Sequence, residues 1–137
     1  MAAEEVLLDT NVILRLFDTL EPTHTEKAKR VFEKAQAGHL LLVVMPLVLF
    51  EVAWYLRGSL KRSNSEVLDV MESIISWPGV QVAEEKRVRR AIAIGREKGS
   101  GFADSYLAAA AREKNLKTAT FNERHFKKLD LPLFEMT

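Results

Sequence analysis

The chain has 137 residues, a length that predicts one domain with a core large enough to be stable without cross-links. Apolar residues make up 47% and charged residues 28% of the chain, which is typical of a globular protein and excludes a disordered or collagen-like one. The absence of cysteine excludes disulfide scaffolds, zinc ribbons, iron–sulfur sites and thiol nucleophiles. The net charge is +1, but residues 53–137 carry 15 bases and 11 acids, and this basic C-terminal part is weak evidence for a polyanionic partner.

The N-terminal residues show no sign of an export signal. Met1 is followed by Ala-Ala-Glu-Glu, without the basic and apolar regions of a secretory signal, so we expect a cytoplasmic protein. The longest apolar run, residues 40–56, is close to the lower length limit of a membrane span. Glu51 places a charge in this run and Pro46 divides it into a strand-sized and a helix-sized piece, so we interpret it as part of a globular domain.

Short apolar runs alternate with segments of helical periodicity along the whole chain. The runs that predict strands are residues 6–8, 40–44, 80–82, 117–121 and 131–134. The segments that predict helices are residues 12–17, 23–38, 46–57, 63–75, a stretch around 86–92, and 102–111. Two of these helices begin with the spacing of a capping box, Thr23 with Glu26 and Ser63 with Glu66. Strands that alternate with helices indicate βαβ units, so we predict an α/β fold with a mostly parallel sheet.

Polar side chains follow two of the predicted strands. Asp9 comes directly after the first strand, beside Thr10 and Asn11, and Asn122 follows the strand-like segment that contains Thr120. Ligands collect at the carboxyl ends of the strands in an α/β sheet, so these positions are candidates for a functional site. Each has a simpler alternative, because aspartate is a good helix cap and asparagine is common in loops.

Two further acids lie within predicted helices. Glu51 is the only charge between Leu40 and Leu56, so we expect a buried carboxylate that needs a base, hydrogen-bond donors or a metal ion. A structural ion pair with an arginine is the alternative for Glu51. Asp104 lies in the first turn of the helix that starts at Phe102, where an N-cap is the alternative.

The three acids together predict a metal site. Three carboxylates brought close together would repel one another unless a cation neutralised them. Oxygen ligands suit Mg²⁺ or Mn²⁺ better than Zn²⁺. The histidines do not compete for this role, because His24, His39 and His125 lack metal-ligand spacing and are interpreted as surface residues.

Four segments of the chain resemble motifs of the PIN-domain ribonucleases, and within them of the VapC-type toxins of toxin–antitoxin pairs. They are LLDTNVIL at residues 7–14, Glu51 in its apolar helix, FADSYL at residues 102–107 and TFNERHF at residues 120–126. The resemblance implies one PIN-like domain over residues 1–137, folded as a three-layer α/β/α sandwich around a mostly parallel sheet. It also implies an endoribonuclease that hydrolyses RNA phosphodiester bonds with Mg²⁺ or Mn²⁺.

The resemblance also implies a role for each candidate residue. Asp9, Glu51 and Asp104 take the acidic catalytic positions of the family, with Asp9 and Asp104 as metal ligands. Glu51 binds the metal through water or orients the nucleophile. The residues that tune the site are Thr10, Asn11, Thr120 and Asn122. Asn122 stands where the family often has aspartate, so the site is one negative charge short and the number of metal ions stays open.

The implied partners are an RNA substrate, a small antitoxin protein and a second copy of the chain, which we expect to pair through Trp54, Tyr55 and Leu56. Two alternatives to this function remain. An aspartate-nucleophile phosphatase requires a second acid where Asn11 stands. A PIN-like domain without activity would only bind RNA or a protein, which the missing acid at position 122 favours. The sequence leaves open which RNA is cleaved and whether the protein is a toxin or a housekeeping nuclease.

Overall fold

The computed structural model describes residues 2–137, which form three strands and seven helices. The strands are β1 (Glu4–Leu7), β2 (Leu40–Val44) and β3 (Val80–Val82). The helices are α1 (Thr10–Leu14), α2 (Pro22–Gln36), α3 (Pro46–Gly58), α4 (Asn64–Ile75), α5 (Glu85–Lys98), α6 (Phe102–Lys114) and α7 (Glu123–Lys128). The predicted α/β class is confirmed, because helices connect and surround a parallel three-stranded sheet.

The sheet has the strand order β1-β2-β3, and both strand pairs are parallel. Leu7 pairs with Val43, and Val44 pairs with Val82, so the carboxyl ends of all three strands meet at one edge of the sheet. Each parallel connection passes through helices, as parallel strands require. Asp9 follows β1 at this edge, which is where the sequence places a functional site.

The two C-terminal strands that the sequence predicts are reduced to a single bridge. Thr118 and Leu133 form one isolated parallel bridge within the described residues. The Thr118 N–H donates to the carbonyl of Pro132 at 2.9 Å, and the N–H of Phe134 donates to the Thr118 carbonyl at 2.9 Å. Pro132 has no N–H, so it cannot extend the ladder. The predictions for residues 117–121 and 131–134 were therefore too long.

One predicted capping box is confirmed and the other is wrong. The Ser63 Oγ accepts from the Glu66 N–H at 3.1 Å, and the Glu66 carboxylate accepts from the Ser63 N–H at 3.0 Å. In α2 the helix already begins at Pro22, so Thr23 lies inside its first turn and cannot cap it. Proline suits the first position of a helix, where the N–H has no partner within the helix.

The core has two parts. The larger part joins the sheet to α3 and α4, and its fully buried side chains include Ile13, Leu42, Leu49, Leu56, Leu68 and Met71. The smaller part joins α5, α6 and α7 through Ile94, Ala108, Ala109, Phe126 and Leu129. Because Phe126 is buried in this second cluster, α7 is fixed against α6. This packing determines where the residues next to Phe126 lie.

Helix α3 does not present the dimer face that the sequence predicts. Leu56 is fully buried, Tyr55 is half-buried, and only Trp54 is exposed. Consecutive residues of a helix point in different directions, so the three side chains cannot form one face. The homodimer itself stays a prediction. The structure within residues 2–137 has no helix whose length and apolar character would let it cross a membrane.

The hydroxyl of Tyr55 connects α3 to the segment after α1. It donates a hydrogen bond of 2.6 Å to the Asp18 carboxylate, and this bond, with a second one from the Leu20 N–H, lowers the pKa of Asp18 below that of an ordinary aspartate. Replacing Tyr55 with phenylalanine is expected to raise the pKa of Asp18, as a carboxyl NMR titration will measure. An unchanged pKa would show that the bond is absent in solution.

The effect of Tyr55→Phe on stability has a defined pH dependence. A carboxyl group whose pKa is lower in the folded state stabilises that state above its unfolded pKa. This contribution is lost as the pH falls through the folded pKa. Wild type is therefore expected to be more stable than Tyr55→Phe at neutral pH. The difference should shrink below the ordinary pKa of an aspartate and disappear as the pH falls through the lowered pKa of Asp18.

Candidate active site

Asp9 leaves β1 in extended backbone conformation and caps α1. One of its carboxylate oxygens accepts from the Thr10 N–H at 2.8 Å, and the other lies 3.5 Å from the Asn11 amide nitrogen. The capping role that the sequence suggests is therefore confirmed. The side chain is nevertheless exposed, and an ionised carboxylate has about four acceptor sites. Capping leaves Asp9 able to bind something else.

Thr10, beside Asp9, has a buried hydroxyl without a hydrogen-bond partner. Thr10 is 5% exposed, and no partner for its hydroxyl is found within residues 2–137. Buried hydroxyls in native proteins are nearly always satisfied by protein, water or a ligand. The Thr10 hydroxyl is shielded from solvent, so it lies beside Asp9 without being open to a ligand.

The prediction that Glu51 is buried is wrong. Glu51 is exposed on α3, and Leu47 and Trp54, which lie four residues before it and three after it, are exposed on the same face. The sequence is apolar all around this helix, but the structure does not cover its outward face. Glu51 therefore needs neither an arginine nor a metal ion to compensate for burial.

Aromatic packing brings the turn of α3 that carries Glu51 to the start of α6. The Phe50 ring lies 5.2 Å from the ring of Phe102 and 4.9 Å from that of Tyr106, measured between centroids. Asp104 stands between these two residues of α6. The packing of Phe50 thus sets the orientation of the helix turn that carries Asp104.

Asp104 is the third residue of α6, and the residue at the N-cap position is Gly101. The alternative that Asp104 serves as an N-cap is therefore wrong. Its carboxylate oxygen Oδ2 lies 2.8 Å from Nε2 of His125, and both side chains are partly exposed. His125 thus contacts one carboxylate oxygen of Asp104, and the other oxygen remains available to a ligand.

His125 is a site residue that the sequence analysis assigned to the surface. It comes from α7, and the burial of its neighbour Phe126 directs it to Asp104. The contact joins two helices, so no local spacing could reveal it. The buried aromatic residue next to a histidine in a short helix was the one available signal. His24 and His39 are exposed, as expected.

Asn122 precedes α7 and is exposed. Its N–H donates to the Thr120 hydroxyl at 2.9 Å, which fixes the turn between the bridge at Thr118 and α7. Among the described residues, no cap bond is formed by the Asn122 side chain. Its amide oxygen is thus free to face a ligand, but this oxygen carries no full negative charge.

Glu84 follows β3 at the same edge of the sheet, and the sequence analysis did not select it. The Tyr106 hydroxyl donates to Glu84, and Arg87 lies 3.4 Å from Glu84 and 3.0 Å from Glu113. Burial, and then the bond to Glu84, raise the pKa of Tyr106, so its hydroxyl stays protonated at neutral pH. Glu84 is thus occupied in fixing α6 to the start of α5.

A divalent cation fits this region by donor chemistry, although the protein does not preassemble a cage for it. Within residues 2–137, no group of three His, Asp or Glu side chains lies close enough to hold a metal ion. The assignment of three acids to one metal site therefore stays a prediction. Mg²⁺ keeps several waters and often uses only one or two carboxylates. The open oxygens of Asp9 and of Asp104 are donors of the kind that such an ion takes.

Comparison with known proteins identifies the family. The profile of the PIN domain matches residues 6–131. The chain belongs to the PIN-domain family. A VapC ribonuclease of Aquifex aeolicus (strain VF5) is 27% identical to it over 123 residues, which are 90% of each chain. The predicted family and the predicted fold are both confirmed, and the PIN-domain match includes the positions of Asp9, Glu51, Asp104 and Asn122.

Proposed function

We propose that this chain is a single PIN-like domain that acts as a metal-dependent endoribonuclease and hydrolyses RNA phosphodiester bonds. The observation that carries the proposal is the family match over residues 6–131, which includes all the acidic candidates. The similarity to a protein named as a VapC ribonuclease supports the substrate and the reaction. The oxygen donors at the carboxyl edge of the sheet support the metal dependence.

Each residue of the candidate site has a proposed task. Asp9 and Asp104 would hold Mg²⁺ or Mn²⁺, and Thr10, whose N–H donates to Asp9, would help to orient that carboxylate. When bound, a divalent cation makes water more acidic and stabilises a departing oxygen. Glu51, exposed on α3, would orient the attacking water. His125 would fix the rotamer of Asp104, as partners behind a metal ligand do.

The number of metal ions follows from charge. Asp9, Glu51 and Asp104 provide three negative charges, which suit one divalent ion better than two. The residues that would adjust this site are Asn11, Thr120 and Asn122. Because Asn122 is an amide, we propose that the resting enzyme holds one ion and that a second arrives only with the substrate phosphate.

The test is cleavage of single-stranded RNA by the purified protein. With Mg²⁺ or Mn²⁺ present, we expect an end-labelled RNA of mixed sequence to be cut internally, and we expect EDTA to stop the reaction. Restoring the metal in excess over EDTA should restore cleavage. Cleavage that persists in EDTA would contradict the metal dependence, and intact RNA under all conditions would contradict the nuclease activity.

A PIN-like domain without activity is the second candidate. The absence of a three-residue cage within residues 2–137 and the amide at position 122 favour it. It predicts RNA or protein binding with no cleavage at any metal concentration. The RNA assay therefore separates the two candidates directly.

We further propose that the protein is the toxin of a toxin–antitoxin pair in the cytoplasm, with a small antitoxin protein as partner and a homodimer as its assembly. The similarity to a VapC ribonuclease supports this role. A small reading frame next to the gene, whose product stops RNA cleavage when added, is the expected finding. A neighbouring product without effect on cleavage would favour a housekeeping nuclease.

A further inference from the structure

A groove of about 210 Å³ lies directly beside Asp104. Its walls come from α3, the start of α4 and the start of α6, and the polar or aromatic residues that line it include Trp54, Arg57, Asn64, Phe102 and Asp104. Pockets for drug-sized ligands occupy roughly 300–1,000 Å³. This groove is smaller, so it suits a single flat ring system.

Trp54 is the unusual member of this groove, because 81% of it is exposed. The other tryptophan, Trp77, packs edge-on against Phe32 and donates its ring N–H to the Phe32 carbonyl at 3.0 Å. Trp54 has no such structural position, and it lies one helical turn after Glu51 on the same face of α3. An exposed indole beside candidate catalytic acids is suited to stack against a ligand with a flat aromatic ring.

One cation lies in the groove beside the indole. Arg57 lines the groove and donates to the Arg62 carbonyl at 2.9 Å, which holds its guanidinium near the end of α3. On the opposite wall, the Asn64 side-chain oxygen lies against Gly101. Among the described residues that line the groove, Arg57 is the one base and Asp104 the one acid. A cation next to an aromatic face is a combination that binds single-stranded nucleic acid.

We propose that an unpaired base of the RNA substrate stacks on Trp54 in this groove, next to the phosphate that is cleaved. Arg57 contacts an adjoining phosphate, and Asn64 faces the edge of the base. This inference rests on the proposed function and adds to it a recognition site for single-stranded RNA. An apolar protein surface would not need Arg57 in the groove, and a base pair would not enter so small a groove.

The proposal is tested by the fluorescence of Trp54. In a Trp77→Phe background, Trp54 is the only indole, and EDTA in the buffer keeps the RNA intact. We expect an oligoribonucleotide to quench the emission of Trp54. In a series of oligonucleotides that each have one abasic position, we expect only the one that lacks the stacked base to lose the quenching. A stacked base contributes roughly a 5- to 150-fold gain in affinity, so the abasic RNA should bind more weakly by that factor.

Substitutions of Trp54 separate stacking from apolar contact. Trp54→Phe should retain most of the affinity in a filter-binding assay, whereas Trp54→Leu should lose it, since leucine has bulk but no aromatic face. Leu20→Ala is the matched control, because Leu20 is 89% exposed and does not line the groove. Equal RNA affinity of wild type and Trp54→Leu would overturn the proposal.

A second copy of the chain is the competing occupant of this face. If it covers Trp54, the emission of RNA-free protein will shift with protein concentration as the mass from light scattering changes from monomer to dimer. That result would overturn the proposal. RNA cleavage that is insensitive to Trp54 would contradict only this inference. Quenching in EDTA, combined with no cleavage when Mg²⁺ or Mn²⁺ is supplied, would support the base site and contradict the nuclease.

Discussion

Asp104→Asn is expected to reduce metal-dependent RNA cleavage by more than about 100-fold, which exceeds the 10- to 100-fold effect of groups that act behind a metal ligand. The substitution removes the negative charge and keeps the shape of the side chain. The amide oxygen can still accept the hydrogen bond from His125 Nε2, now 2.8 Å away, so the contact between α6 and α7 persists. The loss should therefore arise from metal binding and not from unfolding.

Asp130→Asn is the matched control for this loss. Asp130 makes only an exposed ion pair of 2.8 Å with Lys98, which contributes little to stability. Asp130→Asn should cleave RNA like wild type. By circular dichroism, Asp104→Asn and Asp130→Asn should both have melting curves close to that of wild type. Undiminished cleavage by purified Asp104→Asn would remove this residue from the site.

Gly79→Ala is expected to destabilise the protein by about 2–5 kcal/mol, the sum of a backbone penalty and an overpacking penalty. Gly79 has φ +84°, and a Cβ there would lie 2.4 Å from the carbonyl oxygen of Ala35 and 2.8 Å from its carbonyl carbon. These are backbone atoms of α2 and cannot turn away. The Gly79 carbonyl also accepts from the Leu42 N–H at 2.7 Å, so any shift disturbs the pairing of β2 with β3.

Gly38 provides the matched control, because its φ is +86° and a Cβ there meets no atom of the described chain within 4 Å. Gly38→Ala carries the backbone penalty alone, about 1–2 kcal/mol. The difference between the two variants in urea denaturation isolates the collision with Ala35. Equal stabilities would mean that α2 moves away from Gly79 at little cost.

Local patterns predicted much of this fold. The apolar run at residues 40–44 and the capping box at Ser63 and Glu66 are both where the sequence puts them, since strand propensity and capping depend on neighbours in the chain. The C-terminal strands were overestimated because a ladder needs a partner that sequence does not reveal. Only Thr118 and Leu133 find one within the described residues.

The candidate site was harder to predict from sequence. Asp9 could be located because it follows a strand directly, and Asp104 because it starts a helix. The burial of Glu51 was misjudged, since an apolar helix need not be covered on every face. The partner of Asp104, His125, is a tertiary contact fixed by the packing of Phe126, which no spacing in the chain encodes.

The parallel sheet also constrains the order in which the chain folds. Glu4 pairs with Leu40 and Leu42 pairs with Val80, so each pairing closes a loop that contains whole helices. Closing such loops costs conformational entropy before any hydrogen bond between the strands has formed to offset that cost. We expect the helices to form early and the strands to join late, with the β2–β3 pairing dependent on the turn at Gly79. The edge of the sheet that holds Asp9 is then completed only at the end of folding, so partly folded chains carry no assembled site.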